Sequence, residues 1–253
     1  MRRGLLSLIM FVCVTSLIAS CSSSSSDKSE IAGKWNVVKT VKDGSGTYVS
    51  GPAEFKWLAE EGTAITVDLQ GFPLKLLVSE IPELIKEPVS DLLNVILKDV
   101  SFEPKGAIVA TYADLDIDAD DVKEPNWKVS NPKLASYKVT SKTSLTLFLH
   151  IEEIIKENSR SSKIESQIME LIKEGIPIRY VLESETDTEK LYCYINKSNL
   201  IAISEILIEL DKFITDDMFE GFGGTIKSII KQLPNIIVKT NTFEVGLKFE
   251  RNK

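Results

Sequence analysis

The chain has 253 residues and a formal net charge of −7, with 37 acidic against 30 basic side chains and one histidine. Such an acidic chain is repelled by nucleic acid and by anionic lipid surfaces. A lone histidine, His150, also removes the basis for a histidine-built zinc cluster, and no serine or cysteine motif accompanies it for nucleophilic catalysis.

Arg2 and Arg3 precede an apolar run from Leu5 to Ile18. That run falls short of the roughly 20 residues needed to cross a bilayer, so residues 1–20 read as a cleaved export signal. Leu17-Ile18-Ala19-Ser20-Cys21 resembles the lipobox of bacterial lipoproteins. The resemblance implies that Cys21 is lipidated, with palmitate-type chains, and becomes the first mature residue. Losing Arg2 and Arg3 with the signal moves the charge from −7 to −9. Ser22 to Ser26 and the polar residues after them have nothing to bury, so 21–30 reads as a flexible lipidated tether. Because Ser22 and not an acidic residue follows Cys21, the resemblance points to the outer membrane of the cell envelope, on its periplasmic or its surface face.

Past the tether, Gly33 to Val41 reads as a strand leading into a turn at Asp43-Gly44-Ser45-Gly46. Glu54 to Leu58 and Ile65 to Leu69 alternate polar and apolar, and Phe72 to Val78 is a further extended run. Between Ser79 and Lys98 the apolar residues fall three or four apart, predicting a helix that Pro88 kinks or splits. Strands are expected at 100–103, 107–113, 134–140 and 143–149, a long helical segment over 151–172, and strands at 178–183 and 190–195. A helix from Ser198 to Ile214, a last helix from Thr225 to Leu233, and strands at 236–240 and 243–249 close the chain. With Cys13 in the signal and Cys21 in the lipid site, Cys193 has no disulfide partner, and its apolar strand Leu191 to Ile195 predicts a buried structural thiol.

Ile65 to Leu69 matches Leu145 to Leu149, and Gly71 to Leu77 matches Gly175 to Val181. By pattern each half is expected to end with a helix and two strands. These matches predict two β-rich pseudo-repeats, 31–125 and 126–253, the second with inserted helices. The expected class is α+β and β-rich: an antiparallel barrel or curved sheets with several amphipathic helices inserted between strands.

The lipobox, the serine tether and Gly33-Lys34-Trp35 opening the first strand together resemble the lipocalin-like lipoproteins of unknown function from Bacteroides-type bacteria. The resemblance implies a small apolar ligand held in a cup, and it implies that Arg251, expected after the final strand, covers Trp35. The chain departs from ordinary lipocalins in its long helices and in lacking a Thr-Asp-Tyr loop.

Trp35, Trp57, Tyr112 and Tyr180 lie in or near strands and are the candidate ligand-binding aromatics. Asp114, Asp116, Asp118 and Asp120 are the candidate metal ligands, since alternate carboxylates can converge on Ca²⁺. Against the EF-hand pattern, Ala119 stands where Gly is required and Pro125 where the bidentate Glu belongs, and a strand with a solvated Asp face is the competing reading. Gly221 to Thr225 lacks the Walker lysine and reads as a hinge or helix cap. The leading functional expectation is a non-enzymatic, membrane-anchored lipoprotein that binds a small apolar or amphipathic molecule. An envelope scaffold or protein-interaction module is the alternative, and a protein acting on or binding glycans is the third reading. No catalytic residues and no cofactor besides that Ca²⁺ are assigned.

Overall fold

The structure, a computed structural model, describes residues 30–69, 72–113, 125–150, 175–210 and 223–252. The export signal over 1–20, Cys21 with its tether up to Ser29, Asp114 to Asp120, the helix expected over 151–172, and Gly221 with Phe222 lie outside the described residues.

In chain order the elements are β1 (Gly33–Val37), the hairpin β2 (Val41–Lys42) and β3 (Tyr48–Ser50), β4 (Ala53–Ala59), the hairpin β5 (Ala64–Leu69) and β6 (Phe72–Leu77), and α1 (Ile81–Ile96). There follow β7 (Leu97–Phe102), β8 (Ile108–Ala113), β9 (Trp127–Val129), β10 (Ala135–Ser141), β11 (Ser144–Leu149), β12 (Ile176–Ser184) and β13 (Thr188–Asn196). The chain closes with α2 (Lys197–Leu210), α3 (Gly223–Lys239) and β14 (Thr240–Asn252).

The fold is β-rich. One 10-stranded antiparallel sheet runs β10-β11-β12-β13-β14-β1-β7-β8-β9, with β4 also paired to β14. Its strands follow chain order as a meander on either side of the β14–β1 junction. That junction is a spliced line: β1 pairs with the end of β14 (Val37 opposite Phe249) and β4 with its beginning (Ala53 opposite Leu247, Ala59 opposite Thr240). At the joint the Val38 N–H donates to the Lys248 carbonyl at 3.2 Å, and the Lys248 N–H donates to the Pro52 carbonyl at 2.8 Å.

The sheet is not a closed barrel. Its two flanks meet at one isolated bridge, Ala107 opposite Ser136, beside which the Tyr137 N–H donates to the Gly106 carbonyl at 2.5 Å. Alternate residues point to the concave side and form one core: Trp35 and Val37; Val100 and Phe102; Leu145 and Leu147; Ile178 and Tyr180; Leu191 and Cys193; Leu247 and Phe249. Full burial of a Phe such as Phe102 or Phe249 stabilises by roughly 2–3 kcal/mol.

Meander topology sorts the connections. Those of a few residues, β7–β8, β10–β11 and β12–β13, leave one end, where Thr188 pairs with Asn252 and the chain enters β1. The long ones, from β4 to β7, β8 to β10, β11 to β12 and β13 to β14, leave the other end.

The halves are not built alike. Ile65 to Leu69 lies in a detached two-stranded hairpin with β6, whereas Leu145 to Leu149 lies inside the large sheet between β10 and β12. The expected boundary near residue 125 does not separate two units either, since β9, which Trp127 opens, pairs with β8. The first half ends with helix and two strands, but the second ends with α3 and one 13-residue strand. Here Ile236 and Ile237, expected in a strand, continue α3 past Pro234, because with Ile229 and Leu233 they form a buried stripe at helical spacing. Three helices lie among the described residues, and α1 runs unbroken through Pro88 with Ile81, Ile85, Leu93 and Ile96 buried.

Candidate functional site

The end with tight turns is sealed. Gly33 adopts φ +118°, a conformation that favours glycine, and a Cβ there would stand 2.9 Å from Arg251 Nη1. The Gly-x-Trp pattern therefore has a local cause: the chain must turn where the guanidinium arrives. Trp35 is fully buried and its indole N–H donates to the Ile31 carbonyl at 2.8 Å. Arg251 covers the ring and donates to the Ala32 carbonyl at 2.6 Å, the Glu30 carbonyl at 3.1 Å and Glu189 Oε2 at 2.6 Å. Arg251 lies within β14, not after it. Trp35 is thus occupied on both its polar atom and its face.

The other candidate aromatics do not converge on it. Tyr180 is buried, donates its hydroxyl to the Ser141 carbonyl at 3.2 Å near the β10–β11 turn, and has its phenol pKa raised by burial. Tyr112 is half-buried on β8, opposite Leu97 and Lys128.

Trp57 belongs to the end with long connections. β4 pairs with the start of β14, which puts Trp57 opposite Phe243; the rings stack with centroids 4.4 Å apart, and Phe55 meets Trp57 edge-on at 5.9 Å. The indole is 5% exposed, and its Nε1 has no hydrogen-bond partner among the described residues. Beside this cluster, α3 packs on β5, with Gln232 donating to the Thr66 carbonyl. Phe55 and Phe243 escape sequence reading: the alternation of β4 is visible, but its register with a strand near residue 243 is not.

The convex face of the same strands is polar. Glu54 is held by Lys86 at 3.2 Å and by Lys248. Burial raises its pKa, but the two lysines outweigh that, and its carboxyl lies below the usual range. Tyr192 and Tyr194 stack at 4.9 Å, and Lys56 sits 4.9 Å over the Tyr192 ring. Asp99, 3% exposed, is paired with Lys34 at 2.8 Å and accepts from Thr111 at 2.7 Å.

Glu54 is therefore held as a charge-paired anion and is not set up as a proton donor. His150 Nε2 lies 2.8 Å from Ser136 Oγ on the exposed surface, and the pair has no orienting carboxylate among its described hydrogen bonds. Among the described residues no group of three acidic, histidine or cysteine side chains is placed to hold a metal, and no helix is long and apolar enough to cross a membrane. Cys193 is free and buried. Comparison with models of protein families, with curated proteins and with solved structures finds no match.

Proposed function

We propose that the protein is a non-enzymatic lipoprotein of the outer membrane, anchored through acyl chains on Cys21, that carries a small apolar or amphipathic molecule in a lipocalin-like cup. The observation that carries this reading is the opposition of the two ends. Trp35 and Arg251 cover one, while the aromatic cluster of Trp57, Phe243 and Phe55 lies on strands β4 and β14 toward the other, which the long connections leave. Long connections on a rigid sheet are where binding residues concentrate. The meander around an apolar concave face, with one bridge at Ala107 and Ser136, also supports a barrel-like relation to lipocalins.

Native mass spectrometry of the full chain, produced with its own leader in an envelope-bearing host, tests the proposal. The expected species begins at Cys21, carries acyl mass, and holds a further mass removed by organic extraction. A chain that retains residues 1–20 removes the anchor, and a chain with no extractable mass that also takes up no added lipid removes the carrier.

A second reading, an envelope interaction module, is favoured by β6, where Phe72 is 76% exposed and Leu74 and Leu77 are also open to solvent. Co-purification of a stoichiometric envelope protein, lost on Phe72→Ser, is the result that would select it.

A further inference from the structure

Trp57 presents a donor that the fold itself does not use. Buried indole N–H groups ordinarily find an acceptor, and leaving one unmade costs about 1–3 kcal/mol. Such a group calls for a specific explanation, such as a ligand or an ordered water. The comparison inside this chain is direct: Trp35, equally buried, gives its N–H to Ile31, while Trp57 gives its N–H to nothing among the described residues. Three other buried atoms share that lack, Thr40 Oγ1, Asp99 Oδ2 and the Tyr192 hydroxyl, of which Asp99 Oδ2 is ion-paired with Lys34 at 2.8 Å. Thr40 and Tyr192 belong to half-buried side chains, and Tyr192 and Asp99 lie on the convex face. Trp57 alone of the four is an uncharged, buried side chain on the concave side, and its N–H is a donor that cannot also accept.

The surroundings select the acceptor. Trp57 shares its face with Phe55, Phe243 and Val245, all apolar. The nearest lysines in sequence register, Lys56 and Lys248, project from the opposite face, where Glu244 at 3.6 Å and Glu54 engage them. Among the described residues a buried carboxylate would find no counter-charge on the concave side, and leaving an anion unpaired there is costly. A neutral oxygen meets the requirement without that cost.

We infer that Trp57 Nε1–H is the polar anchor of the binding site, donating to an uncharged oxygen, a hydroxyl or an ester or ketone carbonyl, on an otherwise apolar ligand that packs on Phe243 and Phe55. The inference rests on the carrier reading above and narrows its ligand class.

The test is an NMR titration of the full chain in which the indole nitrogens of Trp35, Trp57 and Trp127 are ¹⁵N-labelled, with 1-decanol and decanoate as probes and calorimetry run in parallel. The Trp57 resonance is identified by its loss in Trp57→Phe. With 1-decanol it moves downfield while that of Trp35 stays in place. Decanoate at neutral pH binds more weakly than the alcohol. Trp57→Phe weakens decanol binding about fivefold to tenfold, the size of one net hydrogen bond. Heat of decanol binding with an unmoved Trp57 resonance overturns this inference and leaves the carrier reading standing. Absence of binding by either probe overturns both.

Discussion

The guanidinium carbon of Arg251 lies 4.0 Å from the centre of the Trp35 ring, joining the last strand of the chain to the first. The contact combines a cation over an aromatic face with two backbone acceptors from the entering chain and an ion pair to Glu189 on β13. One side chain therefore ties the N-terminal segment, β1, β13 and β14 together.

Arg251→Ala removes all of this at once and is expected to destabilise by about 2–4 kcal/mol, combining a partly desolvated cation–π contact with charge-assisted hydrogen bonds. Arg251→Lys keeps the charge but not the planar fork, and recovers less than half of the loss. Urea unfolding midpoints measure both. A shift of Arg251→Ala no larger than about 0.5 kcal/mol, the ordinary surface value, would contradict this account.

Gly246 sits mid-strand in β14, where an added Cβ would lie 2.5 Å from the Cys193 carbonyl oxygen and 2.6 Å from Tyr192 Cε2. The carbonyl belongs to a paired strand and cannot withdraw. Gly246→Ala is expected to cost about 1–3 kcal/mol from overpacking. Gly44→Ala, with open space around its Cβ, is the control and should be close to neutral. Equal melting temperatures for the two variants would sink the steric explanation.

Burial pushes the Cys193 thiol well above its ordinary pKa, so the reactive thiolate is scarce as well as enclosed. Labelling of the folded protein by a thiol reagent should proceed only as fast as the sheet opens and accelerate with denaturant. Rapid labelling in the absence of denaturant would show that the β13–β14 region opens locally. Cys193→Ser places a hydroxyl in the same apolar setting, with an expected loss of about 1–3 kcal/mol.

Stability should fall on the acid side through Glu54. Its folded pKa is depressed, so its contribution is fully present above the unfolded value near 4.5 and is lost as pH falls through the lower folded value. The wild type therefore loses stability below about pH 4.5, and Glu54→Gln should flatten that acid limb while lowering stability at neutral pH. Unfolding free energies measured from pH 7 to pH 3 compare the two slopes. Parallel slopes would assign the acid limb to other carboxylates.

Local pattern carried some of the fold and long-range pairing carried the rest. Leu145, Leu147 and Leu149 alternate with polar or half-exposed partners, so their strand and its buried face are readable from six residues. Cys193 reads as buried for the same reason. The Arg251 contact was anticipated through the lipocalin resemblance, though with the residue placed one element too late. Ile236-Ile237-Val238 misleads, because β-branched residues suggest a strand while the stripe formed with Ile229 and Leu233 decides for a helix. The apparent duplication fails because apolar strands resemble one another whether they end up in a detached hairpin or a central sheet. Trp57 was visible as a candidate, but its stack on Phe243 and its idle N–H depend on a register between residues almost two hundred positions apart.

The spliced line of β1 and β4 along β14 also dictates when this protein can fold. Every hydrogen bond at the middle of the sheet, to β1, β4 and β13, is made by the last strand of the chain. Its two N-terminal partners must therefore wait for it across nearly the whole sequence, and such distant pairing is slow to form. No emerging fragment of the chain can assemble that centre until Phe249 and its neighbours have been synthesised. A polypeptide organised in this way keeps the centre of its sheet uncommitted during synthesis until β14 has emerged.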